Sequence, residues 1–255
     1  MRRRTVLSRI RALVLPVLLL AALEWWARTV GRGSDAVAPP TAALQALVGA
    51  VTDGSLLAAT GFTLGSAAIG LAIASALGLA LGTLLGLSRR AAGMGFLSIE
   101  VLRPIPSVAL IPLAMLVFGF GLRMEVSVVA FACAWPLLIL TQAAVRQVDP
   151  QLLEVALALQ LGPLARFTRI VLPAIVPRLF VALRLGVTIA LVVAVTVEIA
   201  ANPHGMGYAL MIAQQSLDPA LMLAWLFWIG LVGFAINAGT LRLQTTVARR
   251  MGAQP

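Results

Sequence analysis

The side chains able to do chemistry are few, and their types exclude more than they suggest. All 19 basic residues are arginine, and there is no lysine. A phosphate-gripping loop needs a lysine to reach nucleotide phosphates, and Schiff-base catalysis needs an amine, so neither is available. Cys133 is the one cysteine and His204 the one histidine, which excludes an internal disulfide, a cysteine-based zinc site and the paired histidines of a metalloprotease helix. The nine carboxylates are scattered rather than paired. No catalytic, cofactor-binding or metal-ligating set is expected, and the chain is not expected to be an enzyme.

The chemistry that remains is docking and passage. Between two apolar segments lies a stretch, residues 146–178, that is too charged to cross a bilayer yet keeps helical periodicity. Asp149-Pro150 is a helix start, with the Asp able to cap and Pro at a first-turn position. Gly162-Pro163 interrupts, and Leu172-Pro173 closes the segment, which predicts a helix, a break and a second short helix. Such an elbow, with apolar and arginine side chains exposed, is a docking surface for another protein. Elsewhere, Arg103-Pro104-Ile105-Pro106 sits at the start of an apolar run, and Glu198 near the end of one. An ionisable group in a membrane segment is a functional candidate by default, so Arg103, Pro104, Pro106 and Glu198 are candidates for a pathway or gate. His204 and Tyr208 lie in a Gly-rich loop and are expected to pack rather than ligate.

The elements that must position these residues are set by lipid. Of 255 residues, 61% are apolar and 11% charged, with a mean hydropathy of +1.02; soluble domains carry about 25% charged residues. Backbone groups in hydrocarbon must pair internally, and runs such as Leu185 to Val197 do not alternate as a barrel strand would. An all-α polytopic bundle of about six spans follows. Residues 1–57 comprise a basic N-terminus, a retained first span and an outer loop with a short helix. Further spans are predicted at 60–87, 102–120, 126–145, 179–201 and 220–241, within a body of 58–245 and before a tail of 246–255. Ser66, Gly70, Ala74, Gly78, Gly82 and Gly86 recur every four residues, a stripe on which a neighbouring helix can pack closely.

Arginine distribution orients the bundle. With both termini in the cytoplasm, the inner segments hold 14 arginines and the outer ones 3, Arg28, Arg32 and Arg123; Arg103 and Arg184 sit near inner helix ends. The net charge of +10 is then a topology signal dispersed over short loops, and no nucleic-acid partner is expected.

The 146–178 stretch resembles the cytoplasmic EAA loop of permease subunits in bacterial binding-protein-dependent ABC importers. That motif reads Glu-Ala-Ala, three residues, Gly, nine residues, Ile, one residue, Leu-Pro. Without a gap it places Glu154, Ala156, Ile170, Leu172 and Pro173 on matching positions. Val155 replaces the first Ala and Gln160 stands where the motif has Gly, with Gly162 expected to supply the turn instead. Arg103 to Pro106 with Ala109 to Leu113, Gly82 to Arg89, and Glu198 with Gly205-Met206-Gly207-Tyr208 are similar to signatures of the nitrate/sulfonate/taurine branch. The resemblance implies a transport subunit that carries no cofactor of its own. ATP is used by separate ATPase subunits that grip a coupling loop here containing Glu154, Ala156, Gln160, Gly162, Phe167, Ile170, Leu172 and Pro173. It further implies a second permease copy, an extracytoplasmic solute-binding protein, and a small polar solute such as nitrate, taurine or an alkanesulfonate. An ion-coupled secondary transporter would need carboxylates near the bilayer midplane, and the central thirds of the spans have none. A non-transporting scaffold would not require the elbow.

Overall fold

The computed structural model describes residues 2–31 and 37–250, with the side chains of 2–13, 248 and 250 outside the description. Arg32 of the outer loop and residues 251–255 of the expected tail therefore lie outside the described residues. Among those described there are helices and no strands. Helix α1 spans Arg2–Thr29 and α2 Pro40–Thr52. The turn after α2 is made by Gly54 at φ +80, and the Asp53 carboxylate accepts the Ser55 N–H at 2.8 Å, so one tight turn ends α2 and starts α3.

Helix α3, Ser55–Leu87, has 33 residues. At about 1.5 Å per residue it is longer than a ~30 Å hydrocarbon core, so it tilts or projects beyond it. The sequence places a third span at 102–120, with helix-breaking prolines in it; the chain forms a bent helix pair across 89–118. Helix α4, Arg89–Leu102, starts where Ser88 Oγ accepts the Ala91 N–H, and stops at the Pro104/Pro106 segment. After a tight turn at Ser107–Leu110, helix α5 runs Ile111–Phe118, bent 83° from α4. Proline removes the donor and the φ freedom that a straight helix would need here.

Gly119 and Gly121, at φ +72 and +104, lead into α6, Leu122–Arg146. The elbow follows as α7, Pro150–Ala158, and α8, Pro163–Arg166; a π turn at Phe167–Val171 joins α8 to α9, Leu172–Ala200. From Pro163 to Ala200 the helix is continuous over 38 residues. Helix α10, Met206–Gln215, and α11, Pro219–Arg250, complete the chain. Among the described residues four helices are long and apolar enough to span, and a fifth if the bent α4/α5 pair counts as one. Six spans are reached only by adding α1.

The core is α3 on α6, with α9 against both. The four-residue stripe is what lets them meet. An added Cβ at Gly70 would lie 2.6 Å from the Val129 side chain, at Gly78 2.7 Å from Leu137 Cβ, at Gly82 2.6 Å from the Leu138 carbonyl oxygen, and at Gly86 2.6 Å from Val145 Cβ. The helices thus touch with no room for a methyl group.

Candidate functional site

Two constructions stand out, one at each end of the bundle. The first is the elbow. Asp149 Oδ1 accepts the Gln151 N–H at 2.9 Å, and Pro150 occupies the first helical position, so α7 begins as its sequence dictates. Its end is closed by two bonds, Leu161 N–H to Ala156 O at 3.0 Å and Gln160 N–H to Leu157 O at 2.9 Å. This is a Schellman closure, which requires a left-handed residue at the turn. Gln160 itself takes that conformation, at φ +52. Gly162 does not supply it; at φ −63 and ψ 162 it is extended and starts α8.

The elbow's side chains divide into two sets. Ala156 is fully buried, and Phe167 and Leu172 pack with Leu153 on a cluster of Val145, Val148, Val171 and Ile175 that ties the elbow to the ends of α6 and α9. Glu154, Gly162 and Pro173 are exposed, Ile170 is half-buried, and Glu154 makes no ion pair among the described residues. Facing outward with Glu154 are Leu157, Leu159 and Leu164, 61%, 64% and 76% exposed. Sequence reasoning did not single out these leucines.

The second construction involves Glu198, which is buried on the last turn of α9. Its Oε2 accepts the Gly207 N–H at 2.8 Å, while Thr63 Oγ1 on α3 accepts the Met206 N–H at 2.9 Å. These are two of the free donors at the start of α10, so side chains of α9 and α3 cap that helix. Glu198 faces a second buried carboxylate, Glu125 on the first turn of α6. Glu125 accepts from Ser66 Oγ of α3 and from the Asn202 amide that follows α9. One polar cluster therefore ties α3, α6, α9 and α10 together. Gly205 and Gly207 are obligatory beside it. Gly205 sits at φ +93 with its absent Cβ 2.0 Å from Glu198 Oε1, and a Cβ on Gly207 would meet the Val195 carbonyl oxygen at 2.3 Å. Sequence reasoning passed over Glu125. The only available signal was a carboxylate just inside an apolar run, the same signal that marked Glu198.

Arg103 and Pro104 lie at the α4/α5 bend. Arg103 pairs with Glu100 at 3.1 Å, and with Pro104 it lines a cavity of about 440 Å³ walled by Trp135 and Pro136 of α6; Pro106 starts the tight turn beside it. Arg184 donates to Asn237 Oδ1 at 3.1 Å, joining α9 to α11. His204 stacks on Phe62 with ring centroids 5.1 Å apart, a packing contact. No group of three or more potential metal ligands occurs among the described residues.

These features define a class: a multi-pass helical membrane protein with a structured elbow at one face and a locked polar cluster at the other. Residues 74–253 match the family described as binding-protein-dependent transport system inner membrane component. The chain is 32% identical over 228 residues to the "Putative aliphatic sulfonates transport permease protein SsuC" of Escherichia coli (strain K12), covering 89% of this chain and 86% of that one. It is 28% identical over 139 residues to the nitrate import permease protein NrtB of Leptolyngbya laminosa, covering 54% of this chain and 50% of that relative. With this and other curated relatives the match spans about half of their length. The fold also matches the crystal structure of an amino acid ABC transporter with histidines, with a TM-score of 0.64 and 18% identity over 80% of this chain and 98% of that one. This chain belongs to the family of binding-protein-dependent transport system inner membrane components.

Proposed function

We propose that this permease subunit forms half of the pathway of an ABC importer for a small oxyanion or sulfonate, and that its elbow receives the force. The observation that carries the coupling role is the continuity of α8, the π turn and α9. Leu164 is exposed at one end of a 38-residue helix, and Glu198 is locked at the other. A rigid helix transmits displacement, so closure of an ATPase pair on Glu154, Leu157, Leu159 and Leu164 moves α9 as a lever. The permease then switches between inward-open and outward-open states whose populations nucleotide biases. In this reading Glu154, Val155 and Gly162 contribute the contact surface. Ala156, Phe167, Ile170, Leu172 and Pro173 hold its shape, and Gln160 sets its turn.

The arginine distribution supports a cytoplasmic position for both termini and the elbow. A second copy of the chain completes the pathway, and an extracytoplasmic binding protein delivers the solute. The relatives named for aliphatic sulfonates and nitrate support an anionic solute. An open groove of about 580 Å³ between α9 and α11 presents Thr188, Thr196 and Asn237 among apolar neighbours, and Arg103 faces the cavity at the bend. These are the polar groups available to a passing solute.

The test is uptake by cells or proteoliposomes carrying the full set of subunits. ATP-dependent uptake of taurine, an alkanesulfonate or nitrate is expected, with Glu154→Arg and deletion of residues 157–168 abolishing both uptake and co-purification of the ATPase. Uptake that survives ATP depletion and collapses with an ionophore would establish a secondary transporter instead.

A further inference from the structure

A cavity of about 760 Å³ opens where the ends of α3 and α6 meet α4 and the elbow. Arg89, Arg146 and Arg166 line it, brought from α4, α6 and α8, and no carboxylate does. None of the three makes a side-chain hydrogen bond or ion pair among the described residues. Three arginines lining one cavity with no carboxylate among them make it electropositive and favour an anion. The remaining wall is apolar: Leu87, Phe96, Val145 and Leu153. A soluble anion has no use for that wall, but a phospholipid uses both parts.

Helix α4 supports the same ligand. It has no buried residue, it is too short to span, and Met94, Phe96, Leu97 and Val101 are 59% exposed or more. Its start, with Arg89 and Arg90, is at the same end of the bundle as the cavity, where an exposed apolar face can meet acyl chains. Basic pockets between transmembrane helices on the cytoplasmic side are where anionic headgroups settle. The geometry points to a binding site for one anionic phospholipid, its phosphate held by Arg89, Arg146 and Arg166 and an acyl chain lying on Phe96. Placement in the inner leaflet rests on the orientation proposed above; the convergence of the three arginines does not. Because Arg166 belongs to α8, a bound lipid would brace the elbow against α3 and α6.

The experiment is native mass spectrometry of the full chain released from bilayers of mixed phosphatidylglycerol and phosphatidylcholine. One phosphatidylglycerol is expected to be retained in preference to phosphatidylcholine. Each arginine near an anionic headgroup contributes about 1 kcal/mol, a factor of about five, so the Arg89→Gln/Arg146→Gln/Arg166→Gln variant should lose roughly 100-fold in that preference. Arg90→Gln, which does not line the cavity, should keep it. Gly93 lines the cavity with open space around its missing Cβ. Gly93→Phe should therefore block retention without altering charge, which covers the case of a triple variant that does not fold. An unchanged preference in both cavity variants overturns the proposal. So does displacement of the lipid by glycerol phosphate as readily as by phosphatidylglycerol, which would mark a soluble-anion site. Loss of ATPase co-purification in the cavity variants with lipid retention intact would instead assign the arginines to an acidic protein surface. Cysteine accessibility of the elbow from either side tests the orientation separately.

Discussion

Replacing Gly82 and Gly61 by alanine, one at a time, makes the same chemical change twice on α3 and should give opposite results. A Cβ at Gly82 would sit 2.6 Å from the Leu138 carbonyl oxygen and 2.7 Å from Thr141 Cβ, whereas a Cβ at Gly61 meets nothing within 4 Å. Favourable contact needs about 3.5–4.0 Å, so α3 would have to move about 1 Å from α6 at Gly82. The obstacle is backbone, which cannot rotate away as a side-chain tip would. Overpacking of this kind costs ~1–3 kcal/mol. Both variants gain up to about 1 kcal/mol from replacing glycine in a helix. That gain cancels in the comparison, leaving Gly82→Ala about 1–3 kcal/mol less stable than Gly61→Ala. The assay is unfolding of the purified chain in mild detergent by added SDS, followed by helical circular dichroism. Equal midpoints for the two variants would refute the claim that the stripe is a contact surface with α6.

Other expectations follow from single contacts. Gln160→Gly should relieve a left-handed strain of ~1–2 kcal/mol and slow hydrogen exchange at the Gln160 and Leu161 amides by about tenfold; Gln160→Val should speed it. Gly205→Ala should abolish a monodisperse peak in size-exclusion chromatography, because its Cβ would overlap the Glu198 carboxylate. Glu125→Ala strands the Asn202 amide at ~1–3 kcal/mol, Ser66 Oγ keeping the Thr63 carbonyl at 2.9 Å, and lowers the SDS midpoint, while Glu125→Gln should lose markedly less. Leu217, at φ +53 in a second Schellman closure after α10, should tolerate Gly with a gain of ~1 kcal/mol in the same assay.

What the sequence makes legible is what local chemistry and periodicity decide. Asp149-Pro150 starts a helix through a cap and a fixed φ, neither of which needs a tertiary partner. The four-residue glycine stripe announces a close helix contact, although only the structure shows that α6 is the partner. The bend at 102–120 was visible as three prolines. The apolar run between them nevertheless reads as one span, because hydropathy counts side chains and is blind to the missing donors. Gln160 defeats the expectation that a left-handed turn falls to the nearest glycine. The Schellman bonds need it two residues after Ala158, and Gly162 lies two residues too late. The partnership of Glu125 with Glu198 joins residues 73 positions apart, which no spacing along the chain could suggest.

The central claim is that the face formed by Glu154, Leu157, Leu159 and Leu164 is where an ATPase subunit grips this permease. Cys133 is buried, so a Cys133→Ala background permits single cysteines to be placed at Leu157 or Leu164 and cross-linked in the assembled transporter. The account predicts that both positions form nucleotide-sensitive cross-links to the ATPase subunit, and that Leu116→Cys, 83% exposed on α5, does not. Cross-links from Leu116 with none from the elbow would contradict it.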